Sequence, residues 1–192
     1  MSADDFDAPD HPLRAQAEAD MARLLAAITE LTQLETRWRG IIAVRGPEFT
    51  FAGQKHRWSG ISLREDILAV AEYRWPTMIH EGLHSVSGAF STSRMDPANQ
   101  RWEEASAEQT HRLLRLDVLS LLGLELDPEA MLARDASHLF NRDIRTLESL
   151  RVGLAREARP FYLELLAATV RERARIISEG WRTVSTRLGE ER

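Results

Sequence analysis

Eight residues constrain this chain more than any other stretch: Thr77-Met78-Ile79-His80-Glu81-Gly82-Leu83-His84. Two histidines four positions apart stand one turn above each other on a helix, on the same face. Met78, Ile79, Leu83 and Val86 supply an apolar stripe beside that face, as a helix packed on a core requires. Pro76 suits a helical first turn, and Gly88 suits a stop. The spacing predicts a helix over about 76–87. Random placement would produce His-Glu-x-x-His roughly 0.02 times in a chain of this composition.

On that helix His80 and His84 can offer two imidazole nitrogens to one Zn²⁺. Glu81 faces the same cleft and is free to take a proton from water. The plainer reading is a helix whose histidines are capped or solvated and bind nothing. There are no cysteines, which excludes disulfides and thiolate ligands, so a zinc site here must use His and carboxylate. A catalytic zinc needs a third protein ligand. A longer HExxHxxGxxH pattern would want Gly at 87 and His at 90, where this chain has Ser87 and Phe90. The other common solution is a glutamate on a second helix, about twenty residues downstream. In that window the chain reads Arg101-Trp102-Glu103-Glu104-Ala105-Ser106-Ala107-Glu108-Gln109, which leaves both Glu103 and Glu104 open.

HEGLH followed by EEASAE resembles the gluzincins, zinc peptidases that pair HExxH with a downstream glutamate. The layout is similar to the small intracellular ImmA/IrrE-like metallopeptidases, over roughly residues 40 to 115. The resemblance implies Glu104 as third ligand, with Glu103 the adjacent alternative. It also implies Glu108 as an acceptor behind one metal-bound histidine, an arrangement that fixes ring tautomer and orientation. His111 continues that helical face, and as a lone helical histidine is more often packed or exposed. Gluzincins commonly add a Tyr or His to stabilise the oxyanion. By analogy Tyr162 takes that role, with Tyr73 and His138 as alternatives; as a core aromatic Tyr162 would have none. Glu81 is then the general base of peptide hydrolysis. The expected function is a narrow-specificity, cytoplasmic regulatory zinc protease acting on a protein or peptide, with a regulatory protein partner possible. Alternatives are a toxin-like or phage-associated peptidase effector, a zinc-dependent binding module that does not cut, and a helical interaction protein.

Composition narrows the field. A net charge of −5 with acids among the bases gives no electrostatic reason to expect nucleic acid. No apolar run approaches the ~18 residues of a membrane span. The acidic start, Met1-Ser2-Ala3-Asp4-Asp5, lacks the positive and apolar regions of a signal peptide.

The expected fold is α+β and predominantly helical: a small antiparallel sheet, then zinc-binding helices, then a helical carboxy-terminal part. Residues 1–11 read as a disordered tail and 12–192 as one metallopeptidase-like domain, with the site core at about 40–123 and the helical part at about 127–190. A first helix is expected from Pro12 to about Arg39. Strands are expected at Ile41–Val44, Phe49–Phe51 and Ile61–Leu63, the last as an edge over the cleft. Asp66–Trp75 is open between strand and helix. Ser91–Met95 reads as a loop. Asp96-Pro97 and Asp127-Pro128 read as helix starts, and a break is expected near Arg159-Pro160.

Overall fold

The computed structural model describes residues 11–56, 60–91 and 96–190. The expected tail lies outside the described residues except for His11, as does the expected loop at 91–95 except for Ser91. The described chain is α+β and mostly helical, with three short strands and eight α-helices among the described residues. It divides into two compact units, Met1–Val86 with Leu114–Ala133, and Ser87–Leu113 with Arg134–Arg192.

In the first unit, α1 (Arg14–Thr32) buries Met21, Leu24, Leu25 and Ile28. It ends earlier than the hydrophobic spacing predicts. Gln33 adopts a left-handed conformation at φ 59°, and its N–H returns to the Thr29 carbonyl at 2.8 Å. The Thr32 hydroxyl and Gln33 amide also bond to helix carbonyls, at 2.8 and 2.7 Å. These local bonds satisfy the end of the helix, so apolar residues beyond it continue the pattern without continuing the structure.

Strands β1 (Ile42–Arg45), β2 (Gly53–Lys55) and β3 (Ile61–Arg64) form a sheet in the order β1-β3-β2. The sheet is mixed, not antiparallel throughout. β1 runs parallel to β3, with Ile42 opposite Ile61, while β2 runs antiparallel to β3, with Lys55 opposite Ile61. The strand around Ile61 is therefore central, and β1 and β2 are the edges. The strand expected at Phe49–Phe51 forms four residues later at Gly53 instead. Phe49 and Phe51 stack edge to face at 5.9 Å, and Phe51 stays exposed.

The short α2 (Glu65–Leu68) leads into α3 (Ala71–Val86), the helix that carries His80 and His84. It starts five residues before Pro76, which resolves Asp66–Trp75 as helical. Proline inside a helix sacrifices one backbone bond, and here burial of Pro76 and its neighbours from Trp75 to Val86 offsets that loss. Gly82 packs closely on α1. A Cβ there would meet Ile28 Cδ1 of α1 at 2.9 Å.

In the second unit, α4 (Pro97–Leu122) as far as Leu113, the end of α5 (Pro128–Ser137), α6 (Asn141–Gly153), α7 (Ala158–Ala167) and α8 (Val170–Glu190) surround one core. Ile144, Leu147, Leu150, Phe161, Leu165, Ile177 and Val184 form it with Ala105 and Tyr162. The break expected near Pro160 lies just before it, where Ala155 takes φ 53°. Thr169 and Glu172 cap α8 reciprocally, Thr169 N–H donating to Glu172 at 2.9 Å and Glu172 N–H to the Thr169 hydroxyl at 3.4 Å, a capping box.

Candidate metal site

Within the first unit, α3 places His80, Glu81 and His84 in buried surroundings, at 9%, 6% and 3% exposure. The two histidine Nε2 atoms lie 3.1 Å apart, their rings nearly perpendicular. Ring nitrogens this close share either a proton or a cation. Two nitrogens bound to one tetrahedral zinc at ordinary bond lengths stand about 3.3 Å apart. The pair thus already has the spacing of two zinc ligands, and imidazole is a suitable donor for that ion.

Glu81 is held against strand β2. A Cβ on Gly53 would fall 2.9 Å from Glu81 Cγ and 3.0 Å from Glu81 Oε1, and 2.8 Å from Thr77 Cγ2. Only glycine lets the edge strand approach the Glu81 side chain this closely. Two residues along, Lys55 is buried at 7% exposure and donates to the His56 carbonyl. Desolvation lowers the Lys55 ammonium to about pKa 8; the nearby Glu81 carboxylate opposes that fall and Arg39 adds to it. Neither Gly53 nor Lys55 stood out in the sequence. The only signal was a glycine-started strand with a lysine at its end.

Within the second unit, the two candidate glutamates separate. Glu103 is fully buried, ion-paired with Arg173 and accepting from the Ser87 hydroxyl at 2.9 Å. Arg173, itself buried, also donates Nε to the Leu165 carbonyl at 2.8 Å. Glu103 is thereby committed to a structural pair. Glu104, one residue and about 100° further round the helix, is half-buried.

Glu108 is fully buried. Its carboxylate accepts from Arg112 Nε at 3.0 Å and lies 3.3 Å from both His111 Nδ1 and His138 Nε2. Arg112 is fixed in turn by the Asp135 carbonyl at 3.1 Å and Asn141 Oδ1 at 2.9 Å. Inside its own unit, Glu108 orients His111 and His138. Tyr162 has no exposed surface and packs edge to face on Phe161 at 5.2 Å. Burial first, and the Glu148 carboxylate second, push its hydroxyl well above the ordinary tyrosine range. That is the setting of a core aromatic. Tyr73, in the first turn of α3, is 54% exposed.

No family model matches the chain, and neither the curated proteins nor the solved structures contain a match to it. No helix among the described residues is long and apolar enough to cross a membrane.

Proposed function

We propose that this chain is a zinc-dependent metallopeptidase of gluzincin type, holding its metal with His80, His84 and Glu104 and using Glu81 as general base. The observation that carries the reading is the His80–His84 pair at 3.1 Å, with a buried carboxylate on the residue between them. Glu104 is preferred over Glu103 because the Glu103 carboxylate already neutralises Arg173. A zinc ion bound there would acidify water and polarise a carbonyl.

The chain's own residues then have separate tasks. Glu81, pressed on Gly53, accepts the proton of the attacking water and delivers it to the leaving amine. His80 and His84 remain neutral donors. Tyr162 is not needed for this scheme. The substrate is a protein or peptide; the absence of any basic patch in the sequence keeps nucleic acid out of the reading. Cytoplasmic regulatory proteolysis of few targets is the leading setting, with restraint from a partner protein.

The test is metal content per chain. The parent should hold one zinc, and His80→Ala and Glu104→Ala none. Glu103→Gln should keep the metal, and Glu81→Gln should keep it while losing peptide cleavage. A parent that takes no zinc after incubation with it would end the proposal.

A further inference from the structure

A largely apolar groove of about 660 Å³ runs along α1. One wall is the helix itself, through Ala22, Leu25, Ala26, Thr29 and Gln33, and the other is Trp38. The two alanines are exposed and Trp38 is half-buried. Both walls are fixed. Leu25 Cδ2 lies 3.5 Å from the position of a Cβ on Gly82, so α3 backs the floor. Trp38 Nε1 donates to the Ile41 carbonyl at 3.1 Å, and Arg37 N–H to the Ser85 carbonyl of α3 at 2.8 Å. A groove held this way is formed before anything enters it, which removes an ordering cost from binding.

The charges beside the groove select its occupant. Arg23 and Glu30 are both exposed, and Glu30 lines the groove. Seven residues are almost two full turns, so the pair shares one side of α1, about 10.5 Å apart along its axis. Among the described residues Arg23 donates only to the Leu122 carbonyl, at 3.3 Å, and Glu30 forms no ion pair. A base and an acid on one line of a helix are complementary to the same line run backwards. Antiparallel to itself, α1 sets Arg23 of each copy against Glu30 of the other, two ion pairs about one two-fold axis. That axis passes beside Ala26. It brings Ala26 opposite Thr29, and Ala22 opposite Gln33, of the second copy, so the helices meet at small side chains. Trp38, beyond the end of α1, then reaches the start of the other α1, where Ala15 and Ala19 are exposed and leave it room.

We propose that this groove is a self-association surface, occupied by α1 of a second copy of this chain in antiparallel orientation. The inference does not rest on the peptidase reading. Two short helix faces and two tryptophans bury less than the ~1,600 Å² of a standard interface. Exposed ion pairs contribute modestly to affinity and more to orientation. The dimer is therefore weak and reversible, dissociating in the micromolar range.

The experiment is sedimentation equilibrium of the full chain, from low micromolar to submillimolar concentration. The parent should pass from monomer to dimer mass and no higher, because a two-fold contact closes on itself. Ala26→Arg places a bulky charge in the groove and should leave only monomer. Position 26 is exposed and arginine is a good helix former, so the variant should keep the parent's unfolding midpoint.

Charge reversal identifies the occupant. Arg23→Glu and Glu30→Arg should each weaken self-association about tenfold, by setting like charges opposite one another. Mixed in equal amounts, these two variants should regain the parent's affinity, because each supplies the charge the other lacks. Two copies of this chain in antiparallel register produce that rescue, and a foreign partner does not. A parent that stays monomeric throughout overturns the proposal and leaves the groove to a helix of another protein or to none. A dimer indifferent to Ala26→Arg overturns it by placing the contact on another face. Single reversals that do not recover on mixing overturn it by removing the antiparallel pairing.

Discussion

Two buried cations show how differently the two units use charge. Arg173 of the second unit meets the Glu103 carboxylate, with the Ser87 hydroxyl at 3.4 Å and the Leu165 carbonyl at 2.8 Å. Lys55 of the first unit donates to a neutral carbonyl, and its ammonium is held down to about 8 by desolvation that Glu81 does not offset. A buried charge with matched partners is a feature of construction. One left under-compensated carries a desolvation cost that its surroundings do not repay.

The comparison breaks most visibly at Arg173. Arg173→Met should cost about 3–5 kcal/mol, because it leaves the Glu103 charge buried without its cation. The double change Arg173→Met with Glu103→Leu should recover most of that loss in denaturant unfolding. If the double variant is as unstable as the single one, the pair matters through packing and not through charge.

Lys55 should behave in the opposite sense. Its folded-state pKa is lowered from 10.5 to about 8, so between those values the unfolded chain binds more protons than the folded one. Folding stability should therefore rise as pH increases from about 8 to 10.5, by up to roughly 3 kcal/mol. That increment is fully present above 10.5 and lost as pH falls through about 8. Lys55→Met should flatten this rise and be more stable than the parent at neutral pH. Parallel stability curves for parent and variant across pH 7–11 would show that Lys55 is solvated after all.

Gly53 sharpens the contrast from the side of Glu81. Gly53→Ala forces its Cβ on Thr77 Cγ2 and on the Glu81 side chain, at 2.8 and 2.9 Å. The overpacking should cost about 1–3 kcal/mol. On the proposed reading of Glu81 as general base, its displacement should lower turnover about a hundredfold, the usual penalty for misplacing a reacting group by ~1 Å. Zinc content should not change, since neither histidine is touched. Loss of zinc together with turnover would mean that the strand supports the histidines as well as Glu81.

What the sequence discloses follows the range over which each signal acts. Short-range signals survive into the structure. Asp96 caps α4 through the Asn99 N–H at 2.9 Å, and Asp127 caps α5 through the Glu129 N–H at 2.9 Å, both as their Asp-Pro pairs predict. The four-residue spacing of His80 and His84 likewise yields facing nitrogens. Long-range choices leave no such trace. The sheet order puts β3 in the middle because β1 pairs with it in parallel, a decision that local propensity does not encode. Glu103 and Glu104 look alike in sequence, and only Arg173, seventy residues away in the chain, separates them. The apolar residues after Thr32 continue a helical period that Gln33 has already ended.

The smallest expected effect is at Tyr162, where the gluzincin resemblance implies a catalytic hydroxyl, with a core aromatic as the alternative, and the ring lies in the second unit's core. Phe161, Leu165 and Ile144 belong to the same buried cluster, and burial keeps the hydroxyl protonated throughout the physiological range. Tyr162→Phe removes one oxygen and keeps the ring. It should change stability by no more than about 1 kcal/mol and leave zinc content and turnover as in the parent. An oxyanion donor would answer differently, because its loss costs about 3 kcal/mol of transition-state stabilisation, more than a hundredfold in kcat. A drop of that size with zinc and stability intact would move Tyr162 from the second unit's core to the reaction, and would require that core to open during turnover.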